Sequence, residues 1–550
     1  MRQIPLLSLI IILAGCGTNG DTKSAEPTAR NARPNIIVMM AEDMSTRVGA
    51  FGDRVAVTPN LDSLAERGVR FTNAFTTAGV CAPSRTAHIL GMHQISTGGQ
   101  HMRTSAFKES TYLTVPPVDA KAYPELLRRA GYYTFTNRKL DYQFSTYAPG
   151  SGPFTIWDAE LPEPEWSGRA PGQPFFGLIN LPQTHESQLF DKNVTANRKK
   201  GLARVVRPED VQVPPYYPDS LVVREYIARQ YDNIHSMDQY VGSLLARLES
   251  DGLTGNTVII WTTDHGDGLP RAKREIYDSG IKVPMIVFWP ERYRPEWQDR
   301  GGVDDRLVSF VDLGPTVLRI AGIPVPKAMH GRPTLIEKTA EREYVYAAKD
   351  RLDEFPFRER AVRDKRYKYI RNLMPDKPGG THLAYRDQLG IMAELWEFEG
   401  SGKLNDAQLH WFEPRPTEEL YDLNNDPHEI NNVAADPGYA ETLARMRKAL
   451  DNWISEIGDR SDQPELKMAN AFWPGGLQPE TPPAEILEVG DNLVELVPGI
   501  PGASIAYRFD QVRWQVYTPA ARIEVPKGAV LSVKSVRYGW RASVEVTQDF

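Results

Sequence analysis

The sequence predicts an α/β protein built on a layered sheet, followed by a smaller α+β unit and a small β-sandwich. Three observations carry that expectation. From Arg33 to about Ala347 short apolar runs alternate with amphipathic stretches, the pattern of strands separated by helices. Several of the amphipathic stretches end at glycine, as helices do. Beyond a Pro/Gly-dense segment at 472–486 the chain changes to short β-branched runs separated by turn signals, which reads as a sandwich.

Taken in order, the chain begins "MRQIPLLSLIIILAGCGTNG", with Arg2, an apolar run Ile4–Leu13 and then small residues. That run has signal-peptide length and is too short to span a bilayer. Leu13-Ala14-Gly15-Cys16 resembles the bacterial lipoprotein signal, which implies cleavage before Cys16 and lipidation of its thiol; the alternative is an ordinary secretory signal with an incidental cysteine. Residues 1–15 are thus expected as signal peptide and 16–33, polar and aperiodic, as a flexible tether. The expected location is extracytoplasmic, on a bacterial membrane by the lipid alone, periplasmic or at the cell surface.

In the main unit, expected over 34–349, "NIIVMM" (35–40), "PFFGLIN" (174–180), "TVIIWTT" (257–263) and "VPMIVFW" (283–289) read as buried strands. "PNLDSLAERG", "YPELLRRAG" and "VREYIARQYDNIHSMDQYVGSLLARLESDG" carry helical spacing between them. In such sheets the chemistry collects where strands end, and "AEDMS" and "DHGDG" each follow a strand. A charged block at 350–460, ending in "YAETLARMRKALDNWISEIG", is expected as a subdomain, 461–486 as a linker and 487–550 as the sandwich. The last is similar to chitobiase-type C-terminal domains.

Composition narrows the function. With 41% hydrophobic and 25% charged residues the 550-residue chain is globular. Its net charge of -7 excludes global basic character, and with it a nucleic-acid or anionic-membrane surface. There are two cysteines. If Cys16 carries lipid, Cys81 has no intramolecular partner and is free, buried or chemically converted. Pro83 suits the first turn of a helix beginning near Ala82. Cys81 then sits at a helix N-terminus, where backbone N–H groups favour an anion, with Arg85 beside it.

"RPNIIVMMAEDMS", "TPNLDSLAERGVRFTNAFTTAGVCAPSR" and "GNTVIIWTTDHGD" resemble, in matching order over roughly 33–460, the formylglycine-dependent sulfatases of the alkaline-phosphatase superfamily. The resemblance implies a large mixed sheet sandwiched by helices. It also implies that a maturase oxidises Cys81 of the Cys-x-Pro-Ser-Arg run to 3-oxoalanine (formylglycine), whose hydrate is the nucleophile. Glu42, Asp43, Asp264 and His265 match metal ligands of the family, with residue 81 completing the set around one divalent ion, Ca²⁺ being expected. Two positions depart from the usual pattern: Glu42 replaces an aspartate, and His265 stands where asparagine is common, a nitrogen donor more usual for Zn, Mn or Fe.

Lys139 matches the lysine of a Lys-x-His arrangement, with Asp141 in the histidine's place, so Asp141 is either a base or a substrate contact. His185 matches the histidine that contacts the scissile ester oxygen. Lys273 matches a sulfate-binding cation, with Arg271 and Arg274 competing for that role. His88, His93 and His101 receive no role. The implied mechanism is attack of a hydrated-formylglycine hydroxyl on sulfur, charge neutralisation by Lys139, Lys273, Arg85 and the metal, and proton donation by His185 to the departing alcohol. A sulfate hemiacetal then collapses to sulfate and aldehyde.

The branch most similar contains heparan N-sulfatase-like and bacterial polysaccharide sulfatases. It implies a sulfated carbohydrate substrate, algal polymers such as ulvan or carrageenan ahead of glycosaminoglycans. "DRLDEF" (350–355), "RNLMP" and "YRDQ" (385–388) are candidates for sugar subsites. Two rival readings stand beside this one: a phosphomonoester or phosphonate hydrolase of the same superfamily, suggested by Asp264-His265, and a non-catalytic glycan-binding lipoprotein.

Overall fold

The segment "NIIVMMA" forms strand β1 (Asn35–Ala41), every residue of which is buried. Its side chains divide between two apolar layers. Ile37, Met39 and Ala41 join one core and Ile36, Val38 and Met40 the other. A strand covered on both faces has no use for polar alternation, which is why its sequence is a continuous apolar run.

The computed structural model describes residues 33–550. The expected signal, tether and Cys16 lie outside the described residues, apart from Arg33. Around β1 stand β2 (Val69–Phe75), β3 (Tyr133–Asn137), β4 (Ala159–Leu161), β5 (Phe175–Leu181), β6 (Thr257–Thr263), β7 (Lys282–Phe288) and β8 (Val303–Ser309). The sheet order is β4-β3-β5-β1-β6-β7-β2-β8. Pairing is parallel throughout except for β7, which is antiparallel to both of its neighbours. This is the large mixed sheet expected.

One face is covered by helix α1 (Pro59–Arg67) and by the long helix Leu221–Ser250, through Leu61, Leu64, Ile227, Ile234 and Val241. The Ser220 hydroxyl caps the long helix by accepting from the Val223 amide. The other face is covered by α2 (Cys81–Leu90) and by helices Tyr123–Arg129 and Leu313–Ile320, through Ile89, Leu90, Leu127, Val317 and Leu318. Each such fully buried side chain contributes about 1.5–3 kcal/mol. Because β1, β2, β3, β5 and β6 run in one direction, their carboxyl ends open on the same edge of the sheet.

A second, antiparallel sheet is ordered β12-β11-β10-β9, with β9 (Val345–Lys349), β10 (Glu359–Arg363), β11 (Tyr367–Asn372) and β12 (Glu418–Asp422). Helix Ala440–Ile457 lies on it through Leu443, Met446, Leu450 and Trp453. The expected boundary after 349 separates β9 from this sheet, whereas its hydrogen bonds to β10 place it there.

The C-terminal strands are β13 (Glu485–Gly490), β14 (Leu493–Val497), β15 (Ala503–Phe509), β16 (Gln515–Val516), β17 (Ile523–Glu524), β18 (Val530–Arg537) and β19 (Val546–Asp549). They form sheets β13-β14-β17 and β16-β15-β18-β19, closed over Val494, Leu496, Ile505, Leu531 and Val533. This unit is docked on the rest. Tyr538 stacks on Phe144 at 4.9 Å, and its hydroxyl donates to the buried Glu125 carboxylate at 2.8 Å.

The expectation of a linker at 461–486 is corrected. Helix Glu465–Phe472 buries Met468, Ala469 and Phe472 against Tyr112 and Leu113. Prolines and glycines after Trp473 masked an apolar stripe that has its own place in the core. Among the described residues no helix is long and apolar enough to cross a membrane.

Candidate active site

Cys81 is the first residue of α2, preceded by extended Val80, and is fully buried. Pro83 falls in the first turn, where its missing N–H removes no helical hydrogen bond. The loop before the cysteine lies directly on the loop that carries Lys273. Arg274 N donates to Gly79 O at 2.6 Å, and a Cβ on Gly79 would stand 2.0 Å from Glu275 O. Only glycine permits that approach.

Four strand ends deliver charge to Cys81. From the end of β1, Asp43 sends Oδ1 to 3.7 Å from Sγ. From the end of β6, His265 Nε2 lies 3.2 Å from Sγ, and Asp264 accepts from Arg85 Nε at 3.0 Å. Beyond β3 comes Lys139, and beyond β5 His185. Lys273 Nζ meets Asp43 Oδ2 at 2.5 Å. Although burial raises the pKa of the Cys81 thiol, Lys139 and Lys273 bring it down to about 6. The site is thus electropositive at the very atom that sequence reasoning singles out. Asp43, Asp141, Arg274 and Asp353 all hold positive φ, backbone strain of the kind that collects at functional sites.

The donors Asp43, Cys81, Asp264 and His265 converge, their ligand atoms within 4.8 Å of one another. His265 Nδ1 lies 3.0 Å from Gly266 O, which fixes a proton on that nitrogen and turns Nε2 towards Asp43 at 3.0 Å, the nitrogen that would give up its proton to bind a cation. Burial opposes the imidazolium, yet Asp264 and Asp43 lift the His265 pKa to about 10. Two buried carboxylates that draw a proton onto a neighbouring ring form a donor set suited to a cation. The residues therefore fit a divalent ion.

Glu42, the remaining expected ligand, lies next to this group and outside the four converging donors. Its longer arm carries the carboxylate to Lys139 Nζ at 3.0 Å, with Arg85 at 3.7 Å and His185 at 3.8 Å. In this arrangement it neutralises those cations.

His185 sits at the mouth, its side chain 18% exposed. The Ser187 amide donates to its Nδ1 at 3.3 Å, which leaves the hydrogen on Nε2, facing the pocket. Among the competing cations, Arg271 is turned away: it is sandwiched by Tyr216 and Tyr277 at 4.2 and 4.1 Å and donates to the His428 and Glu429 carbonyls. Arg274 pairs with Glu186 at 2.7 Å. Lys273 is the one that reaches Asp43 beside Cys81.

Asp141 is buried and gripped by Arg103, with Nε to Oδ1 at 2.6 Å and NH2 to Oδ2 at 2.8 Å. Although burial raises its pKa, Arg103 and Lys139 hold it far below the usual carboxylate range. Sequence reasoning missed Arg103, as well as Asn180, whose side-chain oxygen accepts from Arg85 NH1 at 2.6 Å, and Glu186. Asn180 was within reach, since it is the polar residue inside an apolar strand that ends at the site. His88, His93 and His101 are buried elsewhere: His88 edges Tyr123, His93 stacks on His330, and His101 lies 3.7 Å from Glu465.

Comparison with known proteins agrees with this geometry. The model described as Sulfatase matches residues 34–323, and that described as N-sulphoglucosamine sulphohydrolase, C-terminal, matches 271–377. An ulvan-active sulfatase of Formosa agariphila is 37% identical, covering 93% of this chain and 90% of that protein. Human N-sulphoglucosamine sulphohydrolase is 27% identical over 78% of this chain and 91% of its own. The solved structure of a 2-O GAG sulfatase shares the fold at TM-score 0.57 and 22% identity, covering 78% of this chain and 94% of that one.

Proposed function

The chain belongs to the sulfatase family, and we propose that it removes sulfate from a sulfated polysaccharide or oligosaccharide once Cys81 has been converted to formylglycine. It is a sulfuric ester hydrolase, and sulfatases generally use formylglycine and a divalent metal. One observation carries the reading: Cys81 opens α2 inside a ring formed by Lys139, Lys273, Arg85 and the Asp43–Asp264–His265 donors.

Bearing the aldehyde, residue 81 supplies an oxygen nucleophile through its hydrate. An ion held by Asp43, Asp264 and His265 supplies positive charge beside it; Ca²⁺ is proposed on the strength of the two carboxylates. The remaining work belongs to side chains already in place. Lys139 and Lys273 flank the nucleophile and attract the sulfuryl oxygens, and the α2 amides add to that field. Arg85, tied by Asp264 and Asn180, keeps its NH2 without a hydrogen-bond partner. His185, with its hydrogen on Nε2 at the mouth, donates to the departing oxygen. Asp141, with both oxygens taken by Arg103, holds that arginine at the rim instead of taking a proton.

An algal polymer such as ulvan is the leading substrate, supported by the ulvan-active relative, with carrageenan and then glycosaminoglycans behind it. A maturase acting on Cys81, and a lipid anchor at Cys16 that holds the enzyme outside the cytoplasm, complete the proposal; their support is the Cys-x-Pro-Ser-Arg and Leu-Ala-Gly-Cys sequences. Mass spectrometry of the peptide containing residue 81, alongside sulfate release from ulvan, tests the reading. The expected result is the mass decrease of –CH₂SH becoming –CHO in an active enzyme. An active enzyme in which Cys81 remains a thiol would overturn it. Metal analysis of the same sample should find Ca²⁺, and stoichiometric Zn would replace that assignment.

A further inference from the structure

A groove runs along the seam between the C-terminal sandwich and the main sheet. It encloses about 590 Å³ and is lined by Tyr507, Phe509, Trp514 and Arg513 among others. A neighbouring cavity of about 300 Å³ shares Arg129 and Tyr517 with it as lining residues. The groove lies far from the chemistry. It reaches Gly131 and Gln173, which precede β3 and β5, whereas Lys139 and His185 follow those strands. The length of β3 alone, roughly 13 Å at 3.3 Å per residue, separates the two ends.

Its lining is of a particular kind. Tyr507, Phe509 and Trp514 are only half-buried, although large aromatic rings are ordinarily among the better-buried side chains. Trp514 is held by its backbone, its carbonyl accepting from Arg128 NH2 at 2.8 Å, and by its ring, with the Arg508 guanidinium 4.5 Å over it and Phe154 edge-on at 6.0 Å. Arg513 is exposed and lies 5.0 Å over the Tyr133 ring. Its one hydrogen bond goes to Gly168 O at 3.2 Å, and among the described residues it has no carboxylate partner. Aromatic faces match the flat C–H faces of sugar rings, and a guanidinium without a carboxylate partner matches a sulfate. A groove along a seam, in place of a closed pocket, suits a chain.

We propose that this seam groove binds a sulfated polysaccharide chain through its sulfate groups, holding the polymer on the enzyme away from the residue 81 site. The choice of polymer rests on the substrate reading above. The experiment uses the full chain with Arg513→Glu or Trp514→Ala. Binding of ulvan and of chemically desulfated ulvan is measured in a Cys81→Ala background; turnover of ulvan, a sulfated ulvan disaccharide and an aryl sulfate is measured in the otherwise native enzyme. Each variant is expected to weaken ulvan binding on the order of tenfold and to lower turnover of the polymer. Disaccharide and aryl sulfate turnover should stay at the native level, which also shows that the variants fold. Desulfated ulvan should bind weakly to all of them. Unchanged ulvan affinity in both variants, or equal binding of desulfated ulvan, would overturn the proposal. The two readings fail separately. Ulvan left intact by the native enzyme would remove the substrate reading, while tenfold weaker ulvan binding by the variants would still uphold the groove. Ulvan desulfated equally by native and variant enzymes would remove the groove and keep the substrate reading.

Discussion

Two clusters of buried charge lie in this protein, and they differ in what their charges face. Beneath the small sheet, Arg415 binds Glu419 at 2.7 Å and approaches Glu359 and Glu275 at 3.4 and 3.6 Å, while Lys349 binds Glu275 at 2.7 Å. Both Glu419 oxygens are filled, by Arg415 and Asn372 on one side and Tyr421 and Tyr277 on the other. Around Cys81 the charges are as deeply buried but converge on one point. Asp43 and Asp264 flank the same imidazole, and Arg85 NH2 lacks a hydrogen-bond partner. Burial and ion pairing are therefore common to scaffold and site. What marks the site is charge left incomplete around a reactive atom. The clusters also touch: Glu275, anchored by Lys349 and Trp411, follows directly on Lys273 and Arg274 and pins the loop that presents them.

The strongest way to break this comparison is at its centre. Cys81→Ala is expected to lower sulfate release by about 10⁴-fold or more, as loss of a nucleophile does, with the far-UV spectrum and thermal midpoint unchanged. Cys81→Ser, made in a host whose maturase accepts only cysteine, should behave the same way. Appreciable desulfation by the alanine enzyme would remove residue 81 from the chemistry.

Breaking the other cluster should do the opposite. Arg415→Met leaves buried carboxylates without their cation and is expected to cost about 3–5 kcal/mol of stability at neutral pH, read from the urea midpoint, while correctly folded enzyme keeps its turnover. The pH dependence follows from Glu419. Burial raises its pKa, but Arg415 and the Tyr421 and Asn372 hydrogen bonds hold it below the carboxylate range. A depressed folded-state value contributes stability that is present above the unfolded value of about 4.3 and is lost as pH falls through the folded value. The gap between native and Arg415→Met proteins should therefore narrow below about pH 4. A gap that is constant down to pH 3 would mean the pairing carries no such term.

A third change tests the boundary between the clusters. Lys273→Ala removes one cation from the nucleophile and leaves Glu275 anchored. Turnover should fall by about 10²–10³-fold, the loss typical of one preorganised electrostatic contact, with little change in stability. If instead the thermal midpoint drops as in Arg415→Met, Lys273 belongs to the scaffold.

How much of this was legible beforehand depends on how each residue announces itself. The strands at Asn35–Ala41, Phe175–Leu181, Thr257–Thr263 and Lys282–Phe288 were plain because both faces of the sheet are covered and the runs are apolar throughout. β8, "VDDRLVS", begins exposed and ends buried, so no single period describes it. Cys81, Asp43, Asp264, His265 and Lys273 lie in compact motifs at strand ends. Arg103 does not: it reaches Asp141 across 38 residues of sequence, through a fold that the local pattern does not encode. Glu42 shows what sequence leaves open: the motif places an acid beside Asp43, but only the structure shows its carboxylate on Lys139 at 3.0 Å.

That same missed pair supports the smallest and sharpest test. In a Lys-x-His arrangement the histidine is placed to take a proton during release of sulfate; here Asp141 stands in its place. A base must have a lone pair free and a pKa near the working pH. Asp141 is poorly suited on both counts, because Arg103 takes a lone pair of each oxygen and, with Lys139, holds the carboxyl far below the usual carboxylate range although burial raises it. Asp141→Asn is therefore expected to leave kcat close to native and to raise KM by about tenfold or less, since one loosened substrate-side contact is worth on the order of 1 kcal/mol. Arg103→Lys, which keeps the charge but loses the two-point grip, should show the same KM-only pattern. The contrary outcome is equally clear. An Asp141→Asn enzyme that gives a burst of alcohol and then stalls, with a sulfate adduct on residue 81 visible by mass spectrometry, would show that Asp141 moves the proton in spite of its partner.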